Sequence, residues 1–492
     1  MTMNQLGSLV LLDSTARNTG IVLQTHDSSR DSGPRNSQLL IDNLSHDAQN
    51  PIVVWTNGTT QLGALDHVGT FLIGNDIPDL FQAGMNYTTL RPQVLLDQSN
   101  RFFTKAAPNY AAYTADRVVN VKQVSGYPVM GDGRTDDSAN LNAILKQNAA
   151  NCALTYIPYG VYLLKDTLFI PANTRIVGEA WPVLSGSGAK FRDANHPQPV
   201  VKIGNVGDLG VVEIQDIRFT VAEVSPGAII VEVNIAGLQA GDVGIWNSLI
   251  TVGGTADTTI SSVCTNQDSQ SCMAAFMMMH LTATSSAYIE NLWGWTADHD
   301  LDGSTTDPMV ISTGRGLLVE SSRGTWLTGT SFEHNWLYQY NLPNAQNIFA
   351  GMLQTETPYM QGVGAIQTVP APWTVMSTYH DPDYAWCGAS DQSCRSALAT
   401  NVDGGANIHL YGSAAWTFFD GPWDGLYDEP CANGVCQTNM MRVANTPGNL
   451  VWNSISTKST DVMVLDGEVD PTQYNNPGGW GGVIQRYRQF AA

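Results

Sequence analysis

Of the 492 residues, 44 are acidic and 23 basic, giving a formal net charge of −21. That charge repels phosphate backbones and anionic lipid surfaces, so neither nucleic acid nor membrane is expected as a partner. Only 14% of the chain is charged while 46 residues are Gly and 13 are Trp, a profile nearer a secreted all-β sugar-binding protein than a cytosolic α/β enzyme, and no run of 18 apolar residues predicts a transmembrane helix.

Residues 1–95 read as short β-rich runs, among them GSLVLLDST, SQLLIDNL, PIVVWTNG and GTFLIGN, broken by Gly, Asn, Asp and Ser. Buried-type Val, Ile and Leu without two-residue hairpin signals fit solenoid coils better than a meander. These are expected to be the last coils of a truncated first β-helix, with residues 96–125 as the connection to a second unit over 126–492 that carries a C-terminal extension. The opening MTMNQLGSLVLLDSTARN has no basic segment followed by an apolar core, so no signal peptide is visible. Sequons at Asn43, Asn57 and Asn86 nevertheless agree with secretion.

The second unit opens with YPVMGDGRTDDSANLNAILKQ. Thr135 is expected to cap a helix whose first turn carries Asp136 and Asp137 and whose apolar stripe is Leu141, Ile144 and Leu145. Capping and turn geometry account for Asp132, Asp136 and Asp137, and no metal or cofactor is expected. One amphipathic helix followed by repeated strands is a lid over the end of a β-helix. The strands are expected to continue through PVVKIGN, GVVEIQDIRFTV, GAIIVEVNIAG and AAFMMMHLTATSSAYIENLWGWTADHD.

Glu333 in SFEHN and Glu356 in QTETPYMQ lie 23 residues apart, about one coil of a parallel β-helix. Stacked strands are ~4.8 Å apart, so the two carboxylates are expected on successive rungs, where they can flank a sugar–sugar bond as glycoside hydrolysis requires. Aligning the rungs puts Asp298 at the like position one coil earlier, with 300–312 as an inserted loop. Aromatic residues are plentiful here and as far on as Trp423. Trp295 and Tyr359 are the best candidates for binding a sugar, with Asp298 beside them. His299 and His334 each follow a carboxylate and are read as its hydrogen-bond partner or as a turn residue.

Cys264 and Cys272, Cys387 and Cys394, and Cys431 and Cys436 form close couples, leaving Cys152 over. Their spacings lack the paired CxxC of a zinc site, and each couple sits in a turn-rich stretch. Local disulfides and an oxidising, extracellular compartment are therefore expected.

The G-D-G-R-T-D-D run at 131–137 followed by PYGVY at 158–162 resembles the opening of the pectate-lyase-like, right-handed parallel β-helix superfamily. With YIENLWGWTADHDLD, TSFEHN, QTETPYMQ, CGASDQSC and FFDGPWDGLYDEPC added, nearly the whole chain resembles glycoside hydrolase family 55, the exo-β-1,3-glucanases. The resemblance implies an all-β chain with one complete β-helix plus the terminal coils of a preceding one. It also implies a β-1,3-glucan substrate cut from the non-reducing end, with glucose released under inversion. Glu356 then corresponds to the general acid and Glu333 to the residue that positions or activates the attacking water. To stay protonated, Glu356 is expected to have a raised pKa, from a neighbouring carboxylate and aromatic walls. A polysaccharide lyase of the same fold and a non-catalytic glycan-binding β-helix protein are the alternatives. A shortage of Lys and Arg near the rungs argues against the lyase.

Overall fold

The computed structural model describes all residues except 1, 4–6, 28–36, 48, 80, 265–271, 304–308, 420–430, 432–433, 446 and 490–492, so Trp423 lies outside the described residues. The two opening motifs pack on each other. Gly131 has φ +58°, and a Cβ there would come within 2.9 Å of the Tyr162 ring. Its carbonyl accepts from the Val161 N–H at 3.1 Å, and strand Asp132–Asp136 pairs parallel with Val161–Leu164. Thr135 is thus a strand residue and not the expected helix cap. Helix α1 spans Ser138–Ala150, and Asp136 accepts from the Ser138 N–H at 3.1 Å. Asp132 accepts from the N–H groups of Arg134 and Thr135, and Asp137 from those of Met130 and Gly131, so all three carboxylates are engaged in turns. Leu141, Ile144 and Leu145 point into the core, as the apolar stripe requires.

Beyond α1 the chain winds between two sheets. One runs through Leu168–Ile170, Gln198–Ile203, Ser225–Val233, Met273–Leu281, Ser312–Val319, Tyr338–Pro343, Leu398–Asp403, Gln437–Ala444 and Thr460–Leu465. The other holds pairs of short strands in the early coils, such as Leu154–Ile157 and Val161–Leu164. From Val243–Val252 onward each pair fuses into one long bent strand: Ala287–Thr296, Thr325–Glu333, Gln346–Glu356, Ala406–Trp416 and Gly448–Lys458. These neighbours pair parallel throughout, which makes the unit a parallel β-helix filled by Val, Ile, Leu and Met. Strand Gly481–Gln489 closes the end by pairing antiparallel with Gly448–Lys458.

The bend in each long strand falls at one register position, occupied by Asn247, Asn291, Gly329, Met352, Gly412 and Ser454, all with positive φ. Gly and Asn tolerate that conformation best. Asn291 adds a side-chain bond to Asn247 at 3.0 Å, and a second ladder joins Asn407 to Asn347 at 3.0 Å. Such ladders satisfy amides at a corner where the backbone ladder breaks.

In the N-terminal region Ser8–Ala16 and Gln38–His46 pair parallel, as do Leu23–Thr25 and Val53–Trp55. The run GTFLIGN, read above as another coil, instead turns back: His67–Gly74 pairs antiparallel with Gln38–His46 and then with Gln82–Tyr87. Stacking ends there because reversed strands cover the sheet edge, a common protection of edges.

This region rests on the first halves of the bent strands. Phe102 stacks on Phe349 with ring centroids 4.3 Å apart, within one cluster that includes Leu40, Leu72, Tyr288 and Trp326. Trp246 and Trp326 donate to the carbonyls of Lys105 and Leu95 at 3.0 and 3.1 Å, and Tyr411 to Asp42 at 2.6 Å. At the far end, Arg486 makes a bidentate pair with Asp76 at 2.8 and 2.6 Å, both side chains being buried. Bonds link Cys264–Cys272, Cys387–Cys394 and Cys431–Cys436, and Cys152 is free and exposed.

Removing Asp76 leaves the Arg486 guanidinium buried without its partner, so Asp76→Ala should cost about 3–5 kcal/mol, read as a fall in thermal midpoint. Asp79→Ala, at the exposed partner of Arg488, should cost under ~1 kcal/mol. The sequons also separate. Asn57 is exposed in a tight turn with its Oδ1 accepting from the Thr59 N–H at 2.9 Å, whereas the Asn43 amide is half-buried and donates to Asp13 at 2.5 Å. Secretion from a eukaryotic host should give glycan at Asn57 and none at Asn43 by peptide mass mapping.

Candidate active site

Glu333 ends the strand Thr325–Glu333 and Glu356 ends Gln346–Glu356. The register that pairs Thr330 with Leu353 and Ser331 with Gln354 carries Glu333 alongside Glu356, and the His334 N–H donates to the Glu356 carbonyl at 2.9 Å. Both carboxylates are half-buried. The residue in register with Glu333 on the preceding coil is Trp295, not Asp298. Asp298 lies three positions further on, past the strand end, because the inserted loop begins there.

His334 sits between the carboxylates. It follows the strand with φ +61°, a conformation His adopts more readily than most residues, and this turns its ring inward to burial. Nδ1 is 3.0 Å from the Thr296 carbonyl, an acceptor, so Nδ1 carries a hydrogen. Nε2 is 3.5 Å from Glu356 Oε2, an ion-pair contact longer than a hydrogen bond, and Asp298 Oδ1 is 3.8 Å from Nδ1. A neutral ring would aim the Nε2 lone pair at a carboxylate, so one proton belongs to the His334–Glu356 pair. Burial alone pushes the imidazolium down, but Glu356, Asp298 and Glu333 outweigh it and hold His334 up to about 9.

The carboxyls diverge accordingly. Burial pushes Glu356 up, yet the His334 contact and the Tyr359 hydroxyl more than cancel that, leaving it below the usual range. Glu333 is raised: burial and the Glu356 charge outweigh the pull of His334 and the bonds from Trp293 and Ser331. The expectation of a raised Glu356 is therefore reversed in the unliganded site, because sequence placed a second carboxylate nearby and could not place a buried cation. Ser331 Oγ touches both Glu333 Oε1, at 3.0 Å, and Gln354. A hydroxyl has one hydrogen to give, so Ser331 donates to one of these two groups and accepts from the other, a role that the Gln354 amide can fill.

Among the other expected site residues, Tyr359 bonds Glu356 and packs on His334 with ring centroids 4.7 Å apart. Trp295 does not line the surface. It is 2% exposed, donates to Asp298 at 3.2 Å and packs edge-on against His299, so it supports the site from within. The ring beside it, Trp293, is half-buried, stacks on Trp295 at 5.3 Å and donates to Glu333 Oε2 at 3.0 Å. His299 bonds Asp298 at 2.9 Å. Trp293 was one of the many aromatic candidates but not among the best ones, and Ser331 and Gln354 were not expected beside the carboxylates. They sit two positions before Trp295, Glu333 and Glu356, in register with one another, and the two-residue period of a strand was the signal that pointed to them.

With this geometry in hand, comparisons with known proteins converge. A family model described as rhamnogalacturonase A/epimerase, pectate lyase-like, matches residues 118–293. The glucan endo-1,3-beta-glucosidase BGN13.1 of Trichoderma harzianum is 37% identical over 97% of this chain and 62% of its own length. The glucan 1,3-beta-glucosidase of Cochliobolus carbonum is 32% identical over 89% of this chain and 55% of its own. These relatives and the pectate lyase-like family model agree with the resemblance to glycoside hydrolase family 55. The chain spans 62% and 55% of the length of these two curated relatives. The solved structure of sacteLam55A from Streptomyces sp. SirexAA-E is also matched, at 14% identity and a TM-score of 0.42, over 98% of this chain and 74% of that one.

The charges of this site give a pH signature. His334, raised from 6.5 to about 9, contributes stability that is complete below pH 6.5 and is lost as pH rises through about 9. Glu356, lowered from 4.5, contributes stability present above pH 4.5 and lost as pH falls. The thermal midpoint of the wild type should exceed that of His334→Gln most between pH 4.5 and 6.5 and the gap should close above pH 9; a gap independent of pH contradicts the buried imidazolium.

Proposed function

We propose that this chain hydrolyses β-1,3-glucan, removing glucose from the non-reducing end with inversion of configuration. The observation that carries the reading is the pair of half-buried carboxylates on adjacent rungs, with one buried histidine against Glu356 and with Trp293 and Tyr359 bonded to Glu333 and Glu356. The names of the two fungal relatives support the substrate class. Both glutamates lie on the second halves of the bent strands, away from the N-terminal region.

In this reading Glu356 protonates the glycosidic oxygen and Glu333 holds the attacking water. The proton Glu356 must deliver rests, in the free protein, on His334 Nε2. Approach of the neutral sugar and loss of water weaken the charge-separated pair, and transfer from His334 to Glu356 leaves an uncharged acid facing the leaving oxygen. Glu333 must be ionised to activate water, so rising pH favours it until His334 loses its proton. A bell-shaped rate profile with its alkaline limb below about 9 follows.

The electrostatics favour a second reading of the roles, since burial and the Glu356 charge raise Glu333 whereas Glu356 is lowered. The relative from Trichoderma is named for endo cleavage, which makes internal cutting the second reading of mode. The domain division at 96–125 is likewise proposed: the terminal region would serve as the wall of a preceding β-helix. Disulfides on the described chain support an oxidising, extracellular setting.

Anomer-resolved NMR of the sugar released from laminarin tests the reading. α-Glucose as first product supports inverting release from the chain end, oligosaccharides indicate endo cleavage, and no release from the folded protein overturns hydrolysis. Glu356→Gln and Glu333→Gln should each lower kcat at least ~10³-fold. The acid variant recovers on a dinitrophenyl β-glucoside, whose leaving group needs no proton, and the water-holding variant recovers with azide. Recovery in the opposite pattern exchanges the two roles.

A further inference from the structure

In the coils that precede the bent strands, the chain turns the same corner with short loops instead of one left-handed residue. Residues 158–160 join Leu154–Ile157 to Val161–Leu164, 179–182 join Thr174–Gly178 to Val183–Gly186, and 216–217 join Val212–Gln215 to Arg218–Val221. The loops stack, since the Val183 N–H donates to the Gly160 carbonyl at 2.8 Å and the Arg218 N–H to the Pro182 carbonyl at 3.1 Å. The longest of the three, 179–182, is strained. Ala180 has φ +52° and Trp181 φ +57°, which among the described residues is the one pair of consecutive non-glycine residues with positive φ. Neither is a type that tolerates the left-handed region well, and Trp181 also precedes Pro182, a setting that favours extended backbone.

The strained turn places an indole. Trp181 Nε1 donates to the Asn247 carbonyl at 2.7 Å, two corners further along the β-helix and past Asp216. That bond fixes the polar edge of the ring while the side chain stays 46% exposed. Trp246 and Trp326 make the same kind of bond but are buried under the N-terminal region. Tyr159, on the preceding corner, is 65% exposed, and its N–H donates to Glu179 Oε2 at 3.2 Å. Acceptors border the two aromatic side chains: the exposed Glu179 carboxylate, the Asp216 carboxyl, raised by burial against a bond from Asn247, and the Asn247 amide. Backbone strain retained at an exposed place points to a use beyond packing. Open aromatic faces with carboxylate and amide acceptors at their edges suit a sugar, whose C–H groups lie on the rings while its hydroxyls donate to the acceptors. The corner is remote from cleavage: Gly329, the bend of the strand that ends in Glu333, lies four coils on, ~19 Å at ~4.8 Å per coil.

Resting on the hydrolase reading for the identity of the glycan, we infer that Trp181 and Tyr159 form a second, non-catalytic site that holds a β-1,3-glucan chain on the corner of the β-helix. The site keeps the protein on polymer and does not touch the bond that is cut, so retention on polymer and turnover of short sugars are separable.

The test is depletion of the protein from solution by insoluble β-1,3-glucan, with insoluble β-1,4-glucan as control, for the wild type, Trp181→Gly and Tyr159→Ser, beside hydrolysis of laminaritriose. Glycine adopts φ +57° freely, so Trp181→Gly removes the ring without forcing the corner, and an unchanged circular dichroism spectrum checks the fold. Trp181→Gly should weaken retention on the β-1,3-glucan about tenfold or more, Tyr159→Ser should weaken it less, and both should cleave laminaritriose at the wild-type rate. Retention unchanged by Trp181→Gly, or equal retention of the wild type by both polymers, overturns the second site, and laminaritriose cleavage in that case keeps the hydrolase reading. A parallel fall in laminaritriose turnover overturns the separation from the cleavage site. Retention that depends on Trp181, with no glucan cleaved by the wild type, keeps the second site and rejects the hydrolase reading.

Discussion

The constraint on which the molecule depends is in-register parallel stacking across a fixed bend. Each long strand turns at one left-handed residue, and the six bend residues lie on top of one another from Asn247 to Ser454. Because the hydrogen-bond ladder resumes in register after the bend, each side-chain position recurs at ~4.8 Å intervals. Two faces result from the same strands. The first halves carry Tyr288, Trp326 and Phe349 under the N-terminal region, and the second halves carry Glu333, Glu356 and Trp416 toward solvent.

Stacking two carboxylates so closely is unfavourable unless something separates their charges. Here a buried imidazolium does so, and it can be buried only because Glu356, Asp298 and Glu333 surround it. The arrangement gives the two glutamates different proton affinities although both are half-buried on the same sheet. Glu356 has a cation and a phenol hydroxyl at hand, while Glu333 has neutral donors and a like charge. Assigning acid and base from such a site therefore depends on where the proton rests before sugar binds, and His334 holds it between turnovers in the proposed mechanism.

The N-terminal region and the closing strand brace this geometry from behind. Aromatic stacking of Phe102 on Phe349, the indole bonds of Trp246 and Trp326, and the buried Arg486–Asp76 pair tie residues far apart in sequence to the site-bearing strands. A strand held along its first half has little freedom to shift the side chains on its second half, which is the pre-organisation that positioning chemistry requires.

From the sequence alone came the parallel β-helix, the helical lid, the disulfide couples and the adjacency of Glu333 and Glu356, because each rests on local spacing: a motif, a cysteine interval, or one coil of 23 residues. Spacing also misled where the chain departs from it. Asp298 sits past the strand end, Trp295 is buried, Thr135 lies in a strand, and the GTFLIGN run reverses direction. Only the tertiary structure decided which carboxyl is raised and which lowered, because that depends on a ring turned inward by one positive φ and on charges brought from separate coils. Likewise only the fold carried the Trp181 indole to the Asn247 carbonyl, since a contact between residues 66 apart leaves no periodic trace in the chain. Local spacing encodes what stacks on the next coil, and burial and long-range packing decide what each stacked group can do.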